Sequence, residues 1–403
     1  MFCLELSEGH RELRDWVHGF ATDVIRPAAA EWDEREKTPW PILQEAAKTG
    51  LYGPETLAGF WADETGLSPP IAHEELFWGD GGIGMTIFGT TLAVAAIFTT
   101  GTADQLAEWL PQCYGDAGEP QVAAFCSAQP HAGSDVSAMH HIRAVYHEAS
   151  DEWILTGQST WATNGGIAAV YVVHAVVDAS LGSRGQAVFV IPVGTCGLQA
   201  GRPHRKHGLR AANAADVFFD DVRIPGANLL GGPERLVERL IRTREKRGRG
   251  GQAAIRTFEL SQSIVAAQAV GIARAAYEYA LDYAKQEVVS GRPIIENQSI
   301  AFTLADMKTE IDAARLLVWR AAWMGKTGEK FTAGEGSMSK LKAGRVAMWA
   351  TERAVQILGG ASYSREYPVE RMHRDAEIYG IFEGTEQIQQ LVIARAISGL
   401  PIR

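Results

Sequence analysis

Near the end of the chain, Tyr379, Ile381 and Phe382 crowd a single carboxylate, Glu383, and Gly384, Thr385, Glu386, Gln387 and Gln389 follow it. A carboxylate among such apolar side chains is poorly solvated. Poor solvation disfavours the charged form and raises the pKa. A raised carboxylate pKa suits a general base that must take a weakly acidic proton near neutral pH. The same residues also fit a capping carboxylate in a loop ahead of a helix.

Residues 378–389 resemble the catalytic loop of the flavin-dependent acyl-CoA dehydrogenases. The likeness continues upstream through 354–360, 367–371 and Arg374-Asp375. A run of this length is far more specific than a motif of three or four residues. The resemblance implies FAD as cofactor and an acyl-CoA thioester as substrate. Glu383 would remove the α proton, a hydride would leave Cβ for the flavin, and a trans-2-enoyl thioester would form. In relatives the thioester oxygen is polarised by the base's own backbone N–H and a ribityl hydroxyl of the flavin, fixed donors that stabilise developing enolate charge. The electrons would pass to an electron-transfer flavoprotein, as in fatty-acid β-oxidation. An acyl-CoA oxidase, which uses oxygen, shares these residues. A third reading is a subunit of a hetero-oligomer that completes a partner's FAD site.

Further residues enter through the same resemblance. Phe125, Ser127 and Ala128 lead into a loop, 128–135, similar to a family signature that touches the flavin and the acyl-CoA. Gly133 and Ser134 match it, and Ser134 is expected to meet both ligands. Ala128 stands where a threonine usually bonds the flavin, and Gln129 replaces a glutamate. By itself this stretch also reads as a glycine-containing turn. Trp161 and Thr163 match a tryptophan whose flat indole walls the flavin ring and a threonine whose hydroxyl bonds that ring. An indole at a strand end also fits a core.

In the last third, Ser261 and Gln262 align with a helix opening whose arginine supports the CoA and the catalytic loop. Gln262 cannot supply that charge. Ser261, Gly384 and Arg395 are expected on the substrate. Gln298, Gln356 and Gly360 match residues along a neighbouring subunit's FAD, and Thr385 and Gln387 match the FAD contacts after the base. Glu287 and Ser290 depart from an arginine and a phenylalanine that grip the neighbour's pyrophosphate and adenine. A tetramer is expected, of identical chains or with a related subunit that supplies the missing arginine. No metal site is expected.

The elements that must position these residues show in the periodicity. Leu13, Trp16, Val17 and Phe20 recur at helical spacing, continued by Val24 and Ile25 until Pro27 limits or bends the helix. Residues 1–120 read as a helical domain. Runs rich in Val, Phe and Ala at 170–177 and 186–191, with shorter candidates at 153–155, 216–219 and 222–224, mark 121–235 as a β domain. Helical stripes return over 256–283, 302–319, 338–358 and 386–398, so 236–403 reads as a four-helix bundle. The fold class is α+β, in the order helices, β-barrel or sandwich, helices.

Composition agrees with a globular enzyme: 403 residues, 46% hydrophobic and 21% charged. A net charge of −10 argues against nucleic acid as a partner. Cys3, Cys113, Cys126 and Cys196 show no CxxC spacing and read as reduced thiols in a cytoplasmic protein. No secretory signal is visible. No stretch is read as approaching the roughly 20 apolar residues that span a bilayer, the run 91–98 being taken as a short buried helix. One segment stands apart: Arg235, Arg239, Arg242, Arg244, Lys246, Arg247 and Arg249 cluster in an acidic chain. They could meet CoA phosphates, a partner or an anionic surface, but read first as a solvated loop.

Overall fold

Ser7 accepts the His10 amide at 3.2 Å and so opens the first helix, α1 (Glu8–Phe20). The structure is a computed structural model, and it describes residues 5–130, 141–245 and 251–402, with backbone alone over 251–260. After α1 the chain widens into a π turn, Ala21–Ile25, and runs on as α2 (Arg26–Arg35). Pro27 therefore does not end the helical path. It sits in the first turn of α2, where a missing amide costs least. Helices α3 (Trp40–Lys48), α4 (Pro54–Ala62), α5 (Ser68–Gly79), α6 (Gly81–Thr100) and α7 (Ala103–Tyr114) complete the first part.

The middle part is a curled seven-stranded sheet: β1 (Ala123–Cys126), β2 (Arg143–His147), β3 (Glu152–Thr163), β4 (Val170–Val176), β5 (Gln186–Pro192), β6 (Leu198–Pro203) and β7 (Ala214–Pro225). β2, β3, β7 and β6 pair antiparallel in that order, while β4 carries β1 parallel and β5 antiparallel. The unbroken valine-rich run of β4 follows from burial on both faces. Val170 and Val172 join the apolar cluster shared with the helices, and Tyr171, Val173 and Ala175 join the cluster inside the sheet's curl.

The last part begins with α8 (Gly232–Glu245), then α9 (Gly251–Gln286), the hairpin β8 (Val288–Val289) and β9 (Arg292–Pro293), α10 (Gln298–Thr327), α11 (Glu335–Leu358), α12 (Val369–Ala376) and α13 (Glu386–Ser398). The preferred loop reading of the basic segment is corrected by α8. Leu236 is buried, Leu240 packs on the inner cluster of the sheet, and Arg239 donates to the carbonyls of Arg184 and Gln186. Lys246, Arg247 and Arg249 lie outside the described residues.

The expectation about membrane-length stretches also needs correction. α6 spans 20 residues at a mean hydropathy of 1.7, long and apolar enough to cross a membrane, and 72% of that stretch is buried inside the protein. It packs on α5, α7 and β1, so its apolarity is that of a core helix.

One charged junction ties the three parts. Asp80, the single residue between α5 and α6, accepts the Ile83 amide at 3.0 Å and the Arg371 guanidinium of α12 at 2.9 Å. Asp375 accepts the amide of Leu209, from the β part, at 2.6 Å. Burial, then the neighbouring Asp80, pushes the Asp375 carboxyl up to about 8. Arg374 donates to Asp33 of α2 at 2.7 Å and to Glu370 at 2.8 Å.

Candidate active site

The loop that carries Glu383 is built by local hydrogen bonds. The amides of Ile381 and Phe382 both donate to the Ile378 carbonyl, at 2.9 and 3.0 Å. Thr385 caps α13, its hydroxyl accepting the Ile388 amide at 3.4 Å. Between these anchors the chain takes two left-handed residues in a row, Glu383 at φ 52° and Gly384 at φ 89°. Glycine adopts that conformation freely, whereas for glutamate it costs on the order of 1–2 kcal/mol and must be imposed by its surroundings.

Two side chains impose it. Lys340 of α11 donates to the Phe382 carbonyl at 2.9 Å and the Gly384 carbonyl at 2.6 Å, one on each side of the carboxylate residue. Gln389 of α13 donates to the carbonyls of Glu383 and Gly384 at 3.2 and 3.1 Å, and to Gln262 Oε1 at 3.0 Å. Gln262 thus still supports the loop, through a neutral hydrogen bond where the resemblance implies an arginine. Below the loop the Tyr379 ring is fully buried and meets Phe382 edge-on at 5.2 Å.

Glu383 is deep and reachable at once. It keeps exposed surface, yet so much protein surrounds the carboxylate that burial raises its pKa, and the Lys340 charge pulls it back. Lys340, 1% exposed, is pushed down to about 8 by burial, against the opposing charges of Glu383 and Glu386. A carboxylate of raised proton affinity opening onto accessible space is what a general base requires.

The expected flavin wall lies at the end of β3. The pairing of β3 with β7 shifts register between Ser159 and Ala162, and Trp161 there takes φ 58°. A bulge of this kind re-aims a side chain: the indole stands 62% exposed. His204 lies against it at 4.1 Å between ring centroids. His204 Nε2 lies 3.2 Å from Asp216 Oδ1, which also accepts the Thr160 hydroxyl at 2.7 Å. The end of β1 is brought alongside, because the Ala128 carbonyl accepts the Thr160 amide at 3.0 Å and the Ser159 hydroxyl at 2.9 Å. Thr163 is packed on α6, where a Cβ on Gly89 would come within 2.8 Å of its methyl. Phe125 and Phe382 both rest on the apolar cluster shared by the helices. A flat, exposed indole held by a tilted histidine ring, beside the strand-end backbone of Ala128, fits a flavin ring. Trp161 and Thr163 would wall and bond the ring, with Phe125, Ser127 and Ala128 along its edge.

Other expected residues sit elsewhere. Gly133 and Ser134 lie outside the described residues. Ser261 is exposed beside buried Gln262, and Gln387 is exposed in the first turn of α13. Arg395 lies some ten residues along α13, roughly 15 Å from its start at about 1.5 Å per residue, and its Nε donates to the Ile402 carbonyl at 2.7 Å. Gln356 is roughly 24 Å along α11 from Lys340 by the same rise. α10 and α11 run antiparallel, with Lys342 bonded to Glu310, so Gln298, Gln356 and Gly360 share that far end, all exposed. Glu287 precedes the β8–β9 hairpin that follows α9, and Ser290 sits in its turn, both exposed.

Sequence reasoning missed Lys340, Gln389 and the His204–Asp216 pair. A signal existed for the first. Lys340 falls in phase with Ser337, Ala343, Ala347, Ala350 and Ala354, the buried stripe of α11, and a lysine at a core position needs a partner.

The chain matches the acyl-CoA dehydrogenase N-terminal domain over residues 7–115, the middle domain over 124–222 and the C-terminal domain over 248–398. It is 36% identical over 396 residues to the mitochondrial short-chain specific acyl-CoA dehydrogenase of Bos taurus, covering 97% of this chain and 90% of that one. The butyryl-CoA dehydrogenase of Megasphaera elsdenii has a similar structure at a TM-score of 0.86 and 34% identity, covering 98% of this chain and 100% of that one. A structure described as an electron transferring flavoprotein of Acidaminococcus fermentans is similar at a TM-score of 0.84 and 32% identity, covering 98% and 99%. The likeness runs through all three parts, and the chain belongs to the acyl-CoA dehydrogenase family of FAD-dependent oxidoreductases.

Proposed function

We propose that this chain dehydrogenates an acyl-CoA thioester at its α and β carbons, giving the trans-2-enoyl-CoA, with Glu383 as the base. The observation that carries the reading is the Glu383 loop: a carboxylate of raised pKa, reachable from outside, with its backbone fixed in a left-handed conformation by Lys340 and Gln389. The carboxylate takes the α proton, and the electron pair of that C–H bond becomes the new double bond as a hydride leaves Cβ. FAD would supply the hydride acceptor, with Trp161 and Thr163 the residues to hold its ring. Burial keeps the carboxylate poorly hydrated, so it is a stronger base than one in water. The fixed loop also holds the Glu383 N–H in place to polarise the thioester oxygen.

The names of the similar proteins, short-chain specific and butyryl-CoA dehydrogenase, support a short acyl chain. The Acidaminococcus structure supports an electron-transfer flavoprotein as acceptor. The experiment is turnover of butyryl-CoA by the purified flavoprotein, without oxygen and with an electron-transfer flavoprotein or a dye acceptor, then in air without either. Turnover that needs the acceptor supports the dehydrogenase, and equal turnover in air alone makes it an oxidase. Glu383→Gln is expected to cut turnover by on the order of 10²–10⁴-fold with flavin content unchanged. Retained activity in that variant moves the base elsewhere. The flavin-to-chain ratio of the protein purified alone tests dependence on a related subunit: full occupancy removes that reading of Glu287 and Ser290.

A further inference from the structure

A fully buried lysine needs a reason. Its ammonium loses hydration that hydrogen bonds must replace, and its charge is costly unless something nearby makes use of it. At Lys340 the hydrogen bonds are the Phe382 and Gly384 carbonyls. Those two bonds alone do not call for a charge, since the neutral amide of Gln389 bonds the same Gly384 carbonyl. Among the described residues, no carboxylate pairs directly with this ammonium. Glu386, the other acid of the loop, is drawn off by Arg345 at 3.0 Å. The Lys340 charge is left facing Glu383 without being neutralised by contact.

We propose that Lys340 is the positioning residue of this site, its ammonium holding the loop by the carbonyls on both sides of Glu383 and its charge setting how readily that carboxylate takes a proton. The proposal rests on Glu383 being the base. The two tasks fall to one atom because the lysine reaches the loop from inside the bundle, with 1% of its surface exposed. Among the described residues, burial and the Lys340 charge are what shift Glu383. α11 presents Lys340 and Arg345, the latter paired with Glu386 of α13. The turn before the loop presents the buried Tyr379 hydroxyl, donating to Gln268 of α9 at 3.4 Å. Gln262 and Gln389 are neutral. Burial raises the proton affinity of Glu383 and Lys340 lowers it, so the lysine keeps the base ionised at a pH where an equally buried carboxylate without it would already be protonated.

Lys340→Met keeps the chain length and removes the charge and the donors. Glu383 should then hold its proton to higher pH. The acid limb of the kcat/KM profile should move up by about one pH unit, and kcat should fall as the loop loses its anchors. Lys340→Gln, neutral but able to donate to both carbonyls, should show the same shift with a smaller fall in kcat. Lys340→Arg keeps the charge and should leave the limb where it is in the wild type. A purely structural lysine would lower kcat in all three without moving the limb. The same shift is read without turnover by infrared titration of the Glu383 carboxylate in the flavoprotein, as the wild-type minus Glu383→Gln difference, repeated in the Lys340→Met and Lys340→Gln backgrounds. Absence of acyl-CoA turnover would sink the proposed reaction and leave this titration to decide the role of Lys340. A carboxylate that titrates at the same pH with and without the lysine, or a limb that moves as far in Lys340→Arg, overturns the proposal.

Discussion

Trp161 owes its place to the bulge in its own strand and to three residues behind it. His204 covers one part of the indole, Asp216 holds His204, and Thr160 bonds the same carboxylate. Removing the indole should leave the fold intact, because the side chain is 62% exposed, and should remove a stacking surface from the flavin. Trp161→Ala is expected to lower FAD occupancy and alter the flavin absorption spectrum. An unchanged spectrum at full occupancy would make the indole a surface residue with no part in the site. At this scale the sequence was legible where side chain and motif coincide. Glu383 announces itself by its apolar neighbours, and Trp161 and Thr163 by resemblance. It was not legible where a residue acts from a distant element. Nothing near Lys340 in the chain mentions the loop it holds 42 residues later, and the link exists only once α11 lies beneath the loop.

α5 and α9 meet at a glycine. A Cβ on Gly271 would stand 2.3 Å from the Glu74 carbonyl oxygen and 2.9 Å from the Trp78 amide. Both are backbone atoms, so relief requires the helices to part. Beside this crossing Arg274 bonds Glu74 at 2.7 Å, and Arg315 of α10 bonds the same carboxylate at 2.9 Å, contacts that depend on the close approach. Gly271→Ala is expected to destabilise the protein by about 1–3 kcal/mol, seen as a lower denaturant midpoint at unchanged slope. Wild-type stability in the variant would mean that the crossing absorbs a methyl group without cost. The long helices were legible because their apolar stripes persist over many turns. α8 was not, because its arginines outnumber the two leucines, Leu236 and Leu240, that seat it on the sheet. α6 was read too short because its glycines and threonines interrupt an apolar run that burial makes continuous.

For the whole molecule, the order helices, sheet, helices came from changes of period along the sequence, and the contacts between the parts did not. The period of an element reports which of its faces is buried and not what covers it. The largest apolar cluster takes Phe77 and Ile83 from the first part, Val170 and Val190 from the sheet, and Val270 and Met372 from the last. The junction at Asp80 has a consequence for how the protein comes apart. Asp80, Arg371, Asp375 and the Leu209 amide are buried groups whose partners sit in different parts of the chain. Pulling the first part or the sheet away from the last would leave a buried charge or amide without its partner, a cost of about 3–5 kcal/mol for a broken buried pair. Partial melting is therefore penalised at both boundaries with the last part. Differential scanning calorimetry should show one endotherm, with a van't Hoff enthalpy close to the calorimetric one. Arg371→Ala should lower that transition temperature without splitting the peak. Two resolved peaks in the wild type would mean that the three parts lose their structure independently.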